Sequence, residues 1–110
     1  MNEDLICSII KQVLSALRYL HEKEPEPVVH KDIKPANFLI ESIDYELSKA
    51  HVKLTDFGFA ACKSNVKVFQ AKYGTLYYQA PEFFVEHALI SNAVDIWATG
   101  VMAFYFLSGG

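Results

Sequence analysis

The sequence predicts an α+β fold, mainly helical with one short β-hairpin. Apolar residues between positions 5 and 20 recur at offsets of three and four, which is the spacing of one helix face. Two β-prone runs, 38–40 and 51–54, flank a polar stretch, and residues 93–107 form a second, almost wholly apolar helical run. With 110 residues, 52% of them hydrophobic, 14% aromatic and only 21% charged, the chain has the makings of a single folded domain and is the reverse of a disordered one.

In the first helix Leu5, Ile6, Ile9, Ile10, Val13, Leu14, Leu17 and Leu20 fall on one face, with Lys11, Gln12, Ser15 and Arg18 opposite. Glu3 and Asp4 suit its positive N-terminal end, and Pro25 and Pro27 stop it. The hairpin is expected to carry a long connection over residues 41–50. Residues 57–73 show neither period; Lys63, Ser64, Asn65, Lys67, Gln70 and Lys72 mark an exposed, adaptable loop. Pro81 opens a short helical segment, where proline fits the first turn. In the last helix only Thr99 is clearly polar past Asp95, so the helix needs cover on every side. The run closes on Ser108-Gly109-Gly110, so a partner or further chain is expected to complete the fold.

A net charge of −3 gives no electrostatic case for nucleic acid or an anionic membrane surface. Cys7 and Cys62 lack a CxxC spacing, which argues against a disulfide framework or a zinc site and for free, partly buried thiols in a reducing compartment. The acidic start (Asn2, Glu3, Asp4) and the interrupting Lys11 and Arg18 do not fit a signal peptide. The most apolar stretch, 96–107, has 12 residues, where a membrane span needs about 20. An intracellular, cytoplasmic location is the expectation.

Four signatures carry chemistry, in this order: His30-Lys31-Asp32-Ile33-Lys34-Pro35-Ala36-Asn37, then Asp56-Phe57-Gly58, then Gly74 to Glu82 with its Ala80-Pro81-Glu82 end, then Asp95-Ile96-Trp97. Asp32, Lys34 and Asn37 share a segment broken by Pro35, so a loop can turn all three inward. A carboxylate to orient a hydroxyl, an ammonium to neutralise a moving phosphate and an amide oxygen to ligate a metal are what phosphoryl transfer requires. Asp56 adds a second hard oxygen ligand of the kind Mg²⁺ takes, and Gly58 allows a sharp turn after Phe57. Singly, Asp-Phe-Gly is most often a strand-end turn and Ala-Pro-Glu a helix start; jointly and in order they are not coincidence.

On these motifs the chain resembles part of the eukaryotic protein kinase domain, of the serine/threonine type. The wording around Asn37-Phe38-Leu39, Gly74 to Glu82 and Asp95-Ile96-Trp97 is similar to calcium- and calmodulin-dependent kinases. The resemblance covers residues 1–110, less than half of a complete kinase domain, and implies a partial large lobe: an amphipathic helix over 3–24, the catalytic loop and a strand over 28–40, the metal-binding motif and activation segment over 51–82, and the central hydrophobic helix over 91–108. It implies ATP and Mg²⁺ as cofactors and a protein serine or threonine as acceptor. Asp32 becomes the catalytic base, Lys34 the contact to the transferred phosphate, Asn37 and Asp56 the Mg²⁺ ligands, and Leu39 the floor beneath adenine. His30 and Phe57 stack in the spine joining the lobes, Asp95 holds the catalytic-loop backbone, Thr75 bonds toward Asp32 and Lys34, and Glu82 pairs with an arginine further downstream.

The sequence departs from the family at several points. Lys31 stands where many regulated kinases have an arginine that grips an activation-loop phosphate bidentately. Ser64, the one serine or threonine between Gly58 and Thr75, is the default phosphoacceptor of that segment. Ala36 replaces the glutamate with which some basophilic kinases read basic substrates, and the interval from Asn37 to Asp56 runs longer than usual. No Gly-x-Gly occurs in the 110 residues, so the glycine-rich flap, and with it the small lobe, is absent from them. The leading expectation is a serine/threonine kinase segment with little or no activity alone, partnered by a small lobe or the remaining chain. The alternative is a non-catalytic kinase-like partner, motivated by the apolar last helix. A small α+β domain of unrelated function is the third.

Overall fold

The computed structural model describes residues 1–62, 72 and 74–110. Helix α1 spans Glu3–His21. Asn2 caps it, its Oδ1 accepting the Leu5 N–H at 2.8 Å, and Glu3 and Asp4 occupy the first turn against the positive helix end. The helix ends at His21 and does not run on to 24. Glu22 leaves the helical conformation as its N–H closes on the Arg18 carbonyl, and the following Glu24-Pro25 step disfavours helical backbone before the proline. Leu5, Ile6, Ile9, Val13, Leu17 and Leu20 are buried, but Leu14 is 43% exposed.

The hairpin is longer than its β-prone cores. Strand β2 (Phe38–Asp44) pairs antiparallel with β3 (Lys49–Leu54), leaving only residues 45–48 as the turn, with a bulge between Ile40 and Ser42. The expected long connection is therefore mostly strand. Pairs such as Ser42↔His51 and Asp44↔Lys49 are held by backbone ladder bonds on a largely exposed ribbon, where polar side chains are no obstacle. The Asp44 carboxylate closes the turn by accepting the Leu47 N–H at 3.0 Å. Gln12, placed on the polar face of α1, is half-buried and clasps β3: its amide nitrogen donates to the Ala50 carbonyl and its Oε1 accepts the Val52 N–H.

Two short strands join segments whose pairing no local pattern announces. Strand β1 (Val28–Val29) runs antiparallel to β4 (Ala61–Cys62), in the register Val28↔Cys62 and Val29↔Ala61. The stretch expected as irregular loop from 57 onward thus contains a strand; Ser64 and most of that loop lie outside the described residues. The thiols of Cys7 and Cys62 are free, and Cys7 is exposed rather than partly buried because it sits off the apolar stripe of α1.

Helix α2 spans Ala93–Leu107 and closes the core: its Ala98 and Met102 join Leu5, Ile9, Val13, Leu17, Ile33 and Ala50 in one buried cluster. A second cluster, Val29, Ala80, Phe83, Ile90 and Val94, seats the short turn Pro81–Phe84 beside it. Among the described residues α2 is not covered on every side, its Ile96, Trp97 and Phe104 being 49%, 49% and 73% exposed. No helix among the described residues is long and apolar enough to cross a membrane.

Candidate active site

Residues 30–37 form a loop between β1 and β2 whose backbone is held from beneath by Asp95 of α2. The fully buried Asp95 carboxylate accepts the His30 N–H at 2.9 Å and the Lys31 N–H at 2.8 Å, and His21 Nε2 lies 2.8 Å from its Oδ2. His21 was not singled out from sequence. Its position one helical turn beyond Leu17 continues the buried stripe of α1, and that spacing was the available signal. His30 is also fully buried; its Nδ1 accepts the Asp32 N–H at 3.1 Å and its Nε2 lies 2.9 Å from the Thr55 carbonyl, which fixes a neutral ring with the proton on Nε2.

Asp32 is surrounded by donors. Its Oδ1 accepts the Thr75 N–H at 3.1 Å and the Thr75 hydroxyl at 2.9 Å. Its Oδ2 accepts from Asn37 Nδ2 at 3.1 Å and stands 3.8 Å from Lys34 Nζ, which in turn donates to Thr75 Oγ1 at 2.6 Å. Asn37 Nδ2 also donates to the Asp32 carbonyl at 2.7 Å, so both amide hydrogens are used and its side-chain oxygen is the acceptor left for a cation. Thr55, also missed, ties the end of β3 to this loop, its N–H and hydroxyl both donating to the Asn37 carbonyl.

Asp56 follows in the left-handed region at φ 56°, exposed, with its Oδ1 accepting the Gly58 N–H at 3.3 Å. The Phe57 ring meets His30 edge-on, with centroids 5.0 Å apart and planes at 66°. Leu39 is 59% exposed. Glu82 is half-buried and has no ion-pair partner among the described residues. Tyr78 and Tyr105 share a small hollow with Lys34, Pro35 and Ala36, and burial, helped by the Tyr105 phenol, pushes the Tyr78 hydroxyl above its ordinary range.

Gly74 brings Thr75 to the loop. Its φ is +134°, and a Cβ there would stand 2.6 Å from the Lys31 carbonyl oxygen, so only glycine permits this approach. Lys31 itself sits at φ 71° and is 5% exposed. Burial holds its ammonium below the usual lysine range, and Asp95 partly offsets this. Unfolded, Lys31 takes up its proton at the ordinary value of 10.5, so between the depressed folded value and 10.5 the unfolded chain binds more protons. The penalty on folding is thus fully present below that window and is relieved as pH rises through it. Urea titrations from neutral pH up to about 10.5 are expected to show wild type gaining stability relative to Lys31→Gln. Parallel curves would refute the burial argument.

Among the described residues no cluster of three or more His, Cys, Asp or Glu side chains is arranged to hold a metal. One carboxylate and one amide oxygen do suit Mg²⁺, which takes one or two protein oxygens and completes its shell with phosphate and water.

The protein kinase domain model matches residues 1–110. Calcium-dependent protein kinase 4 of Plasmodium berghei is 41% identical over 101 residues, covering 92% of this chain and 18% of that protein. Human serine/threonine-protein kinase tousled-like 1 is 37% identical over 119 residues, covering 99% of this chain and 15% of its own. Tousled-like 2 of Xenopus tropicalis is 35% identical over 120 residues, covering 99% and 17%. The chain spans less than a fifth of the length of these relatives. With the match running over all its residues and serine/threonine kinases as its relatives, the chain belongs to the protein kinase domain family.

Proposed function

We propose that these residues are the large-lobe catalytic segment of a serine/threonine kinase, which transfers the γ-phosphate of ATP to a protein hydroxyl. The observation that carries the reading is the Asp32–Thr75–Lys34 cluster, an acceptor and an ammonium bridged by one hydroxyl. Asp32 aligns the substrate hydroxyl and accepts its proton, while Lys34 offers positive charge where the transferred phosphate gains negative charge. Asn37 and Asp56 would hold Mg²⁺ and Leu39 would supply apolar contact to the adenine, while the His30–Phe57 edge contact helps orient the segment that carries Asp56. ATP-Mg²⁺, when bound, supplies the phosphoryl group and the cation that screens it. The 110 residues alone contain no glycine-rich flap, so alone they are expected to be inactive or nearly so.

The test is transfer of labelled phosphate by the full-length natural chain to serine, threonine and tyrosine peptides, with and without a Mg²⁺ chelator. Mg²⁺-dependent labelling of serine or threonine supports the reading. Labelling of tyrosine alone, or none at all, overturns it.

The exposed side of α2 favours a second reading, a kinase-like chain that acts by binding another kinase. A stable complex with a kinase small lobe that survives Asp56→Ala, without phosphate transfer, would support it.

A further inference from the structure

Hydrogen bonds around the 30–37 loop close into a ring that passes through Asp32, His30, Thr55 and Asn37. The Asp32 N–H donates to His30 Nδ1 at 3.1 Å, and the opposite nitrogen of that imidazole, Nε2, donates to the Thr55 carbonyl at 2.9 Å. Thr55 gives both its N–H, at 2.8 Å, and its hydroxyl, at 3.1 Å, to the Asn37 carbonyl. Asn37 Nδ2 completes the ring on the Asp32 carbonyl at 2.7 Å. The Asn37 N–H is tied as well, to the Lys34 carbonyl at 3.1 Å. The carbonyl and all the N–H groups of Asn37 are thus committed, and its side-chain oxygen is what remains for a cation.

Within this ring the Thr55 hydroxyl is the member that the fold does not need. The Thr55 N–H alone joins the end of β3 to Asn37, and valine, equally β-branched, suits an extended segment as well. What the hydroxyl adds is a donor for the second lone pair of the Asn37 carbonyl. A carbonyl held by one donor can tilt about that bond, whereas two donors from one residue fix the peptide plane. The Thr55 carbonyl, gripped by His30, belongs to the peptide that leads into Asp56, where the backbone turns left-handed at φ 56°. One residue therefore holds Asn37 through hydrogen bonds and Asp56 through the chain.

We propose that Thr55 is a positioning residue for divalent-cation binding: its hydroxyl sets the Asn37 side-chain oxygen relative to Asp56. The inference rests on the kinase reading above, which makes Asn37 and Asp56 the Mg²⁺ ligands. Removing a group that orients a metal ligand lowers metal affinity about 10–100-fold. With the Thr55 N–H bond retained, the lower end of that range is expected.

The experiment uses the full-length natural chain over a series of free Mg²⁺ concentrations. It follows phosphate transfer to a serine peptide and, without peptide, the binding of a fluorescent ATP analogue by anisotropy. Thr55→Val is expected to raise the half-saturating Mg²⁺ about tenfold in both readouts, and to weaken analogue binding more at limiting Mg²⁺ than in EDTA. Thr55→Ser, which keeps the hydroxyl, is expected within about threefold of wild type. Thr55→Ala removes the same hydroxyl with less bulk and replaces Thr55→Val if that variant does not fold. An unmoved Mg²⁺ dependence in a folded variant, or Thr55→Ser as impaired as Thr55→Val, overturns the proposal. So does analogue binding weakened equally with and without Mg²⁺, which would put the hydroxyl on the nucleotide itself. A Mg²⁺ midpoint for analogue binding that shifts in Thr55→Val, with no phosphate transfer by wild type, would keep the positioning role and remove the kinase reading. Mg²⁺-dependent transfer with a midpoint that Thr55→Val leaves unmoved would do the opposite.

Discussion

Asp32→Asn is expected to cut turnover of the full-length kinase by about two to four orders of magnitude, with nucleotide affinity little changed. The reason lies in the company Asp32 keeps. Thr75 N–H and O–H face one carboxylate oxygen, and Asn37 Nδ2 and Lys34 Nζ face the other. Every neighbour is a donor, so the position demands an acceptor on both sides. An asparagine can meet one side only, and its NH₂ then opposes either Thr75 or Asn37. The Thr75 hydroxyl has a second lone pair and could turn, but the Thr75 N–H beside it is a donor that cannot reverse. The substitution thus removes the proposed proton acceptor and disturbs the groups that position it. Steady-state kinetics would check this: a loss in kcat of less than about tenfold would remove Asp32 as the catalytic base.

Asp95→Ala is expected to destabilise the domain by about 3–5 kcal/mol. The carboxylate is fully buried and accepts from the His30 and Lys31 amides and from His21. Its removal leaves two buried N–H groups without partners, at about 1–3 kcal/mol each, and strands a mostly buried imidazole. Against a total stability of about 5–15 kcal/mol, the loss would leave a marginal fold. Asp95→Asn keeps one acceptor oxygen and is expected to fall between wild type and alanine. Urea midpoints at unchanged slope would measure both, and an alanine variant within about 1 kcal/mol of wild type would show that the network adds little.

The helices were legible because burial imposes a period: Leu5, Ile9, Val13 and Leu17 face the core at the spacing read from the chain. Leu14 shows the limit, since periodicity marks a face but not how far neighbouring elements extend over it. The hairpin was half legible. Its ends are β-prone, whereas Ser42, Asp44 and Lys49 pair through backbone on an open ribbon and leave no alternating pattern. Strands β1 and β4, with two residues each, are too short to carry any pattern. At the site, motif order singled out Asp32, Lys34, Asn37, Asp56, Thr75 and Asp95. Of the groups that hold them, His21 follows the stripe spacing of α1, which marks its face but not its partner 74 residues on, and the contact of Thr55 across 18 residues leaves no spacing to read. Ala36 was noticed only as a missing acid; that it shares a tyrosine-walled hollow needed the fold.

The dependence of the loop on α2 also bears on how the chain acquires its shape during synthesis. Residues 30–37 are translated well before Ala93–Leu107, yet the amides of His30 and Lys31 find their acceptor only on that later helix, 65 and 64 residues on. The same helix delivers Met102 and Ala98, without which Val13, Leu17 and Ile33 have no lid. A chain emerging from the ribosome can therefore form α1 and the β2–β3 hairpin early, both being local, but not the arrangement of Asp32 and its neighbours. The geometry around Asp32 and core closure arrive in one late event, so a stalled product ending before Asp95 would present the motif residues in sequence without assembling them in space.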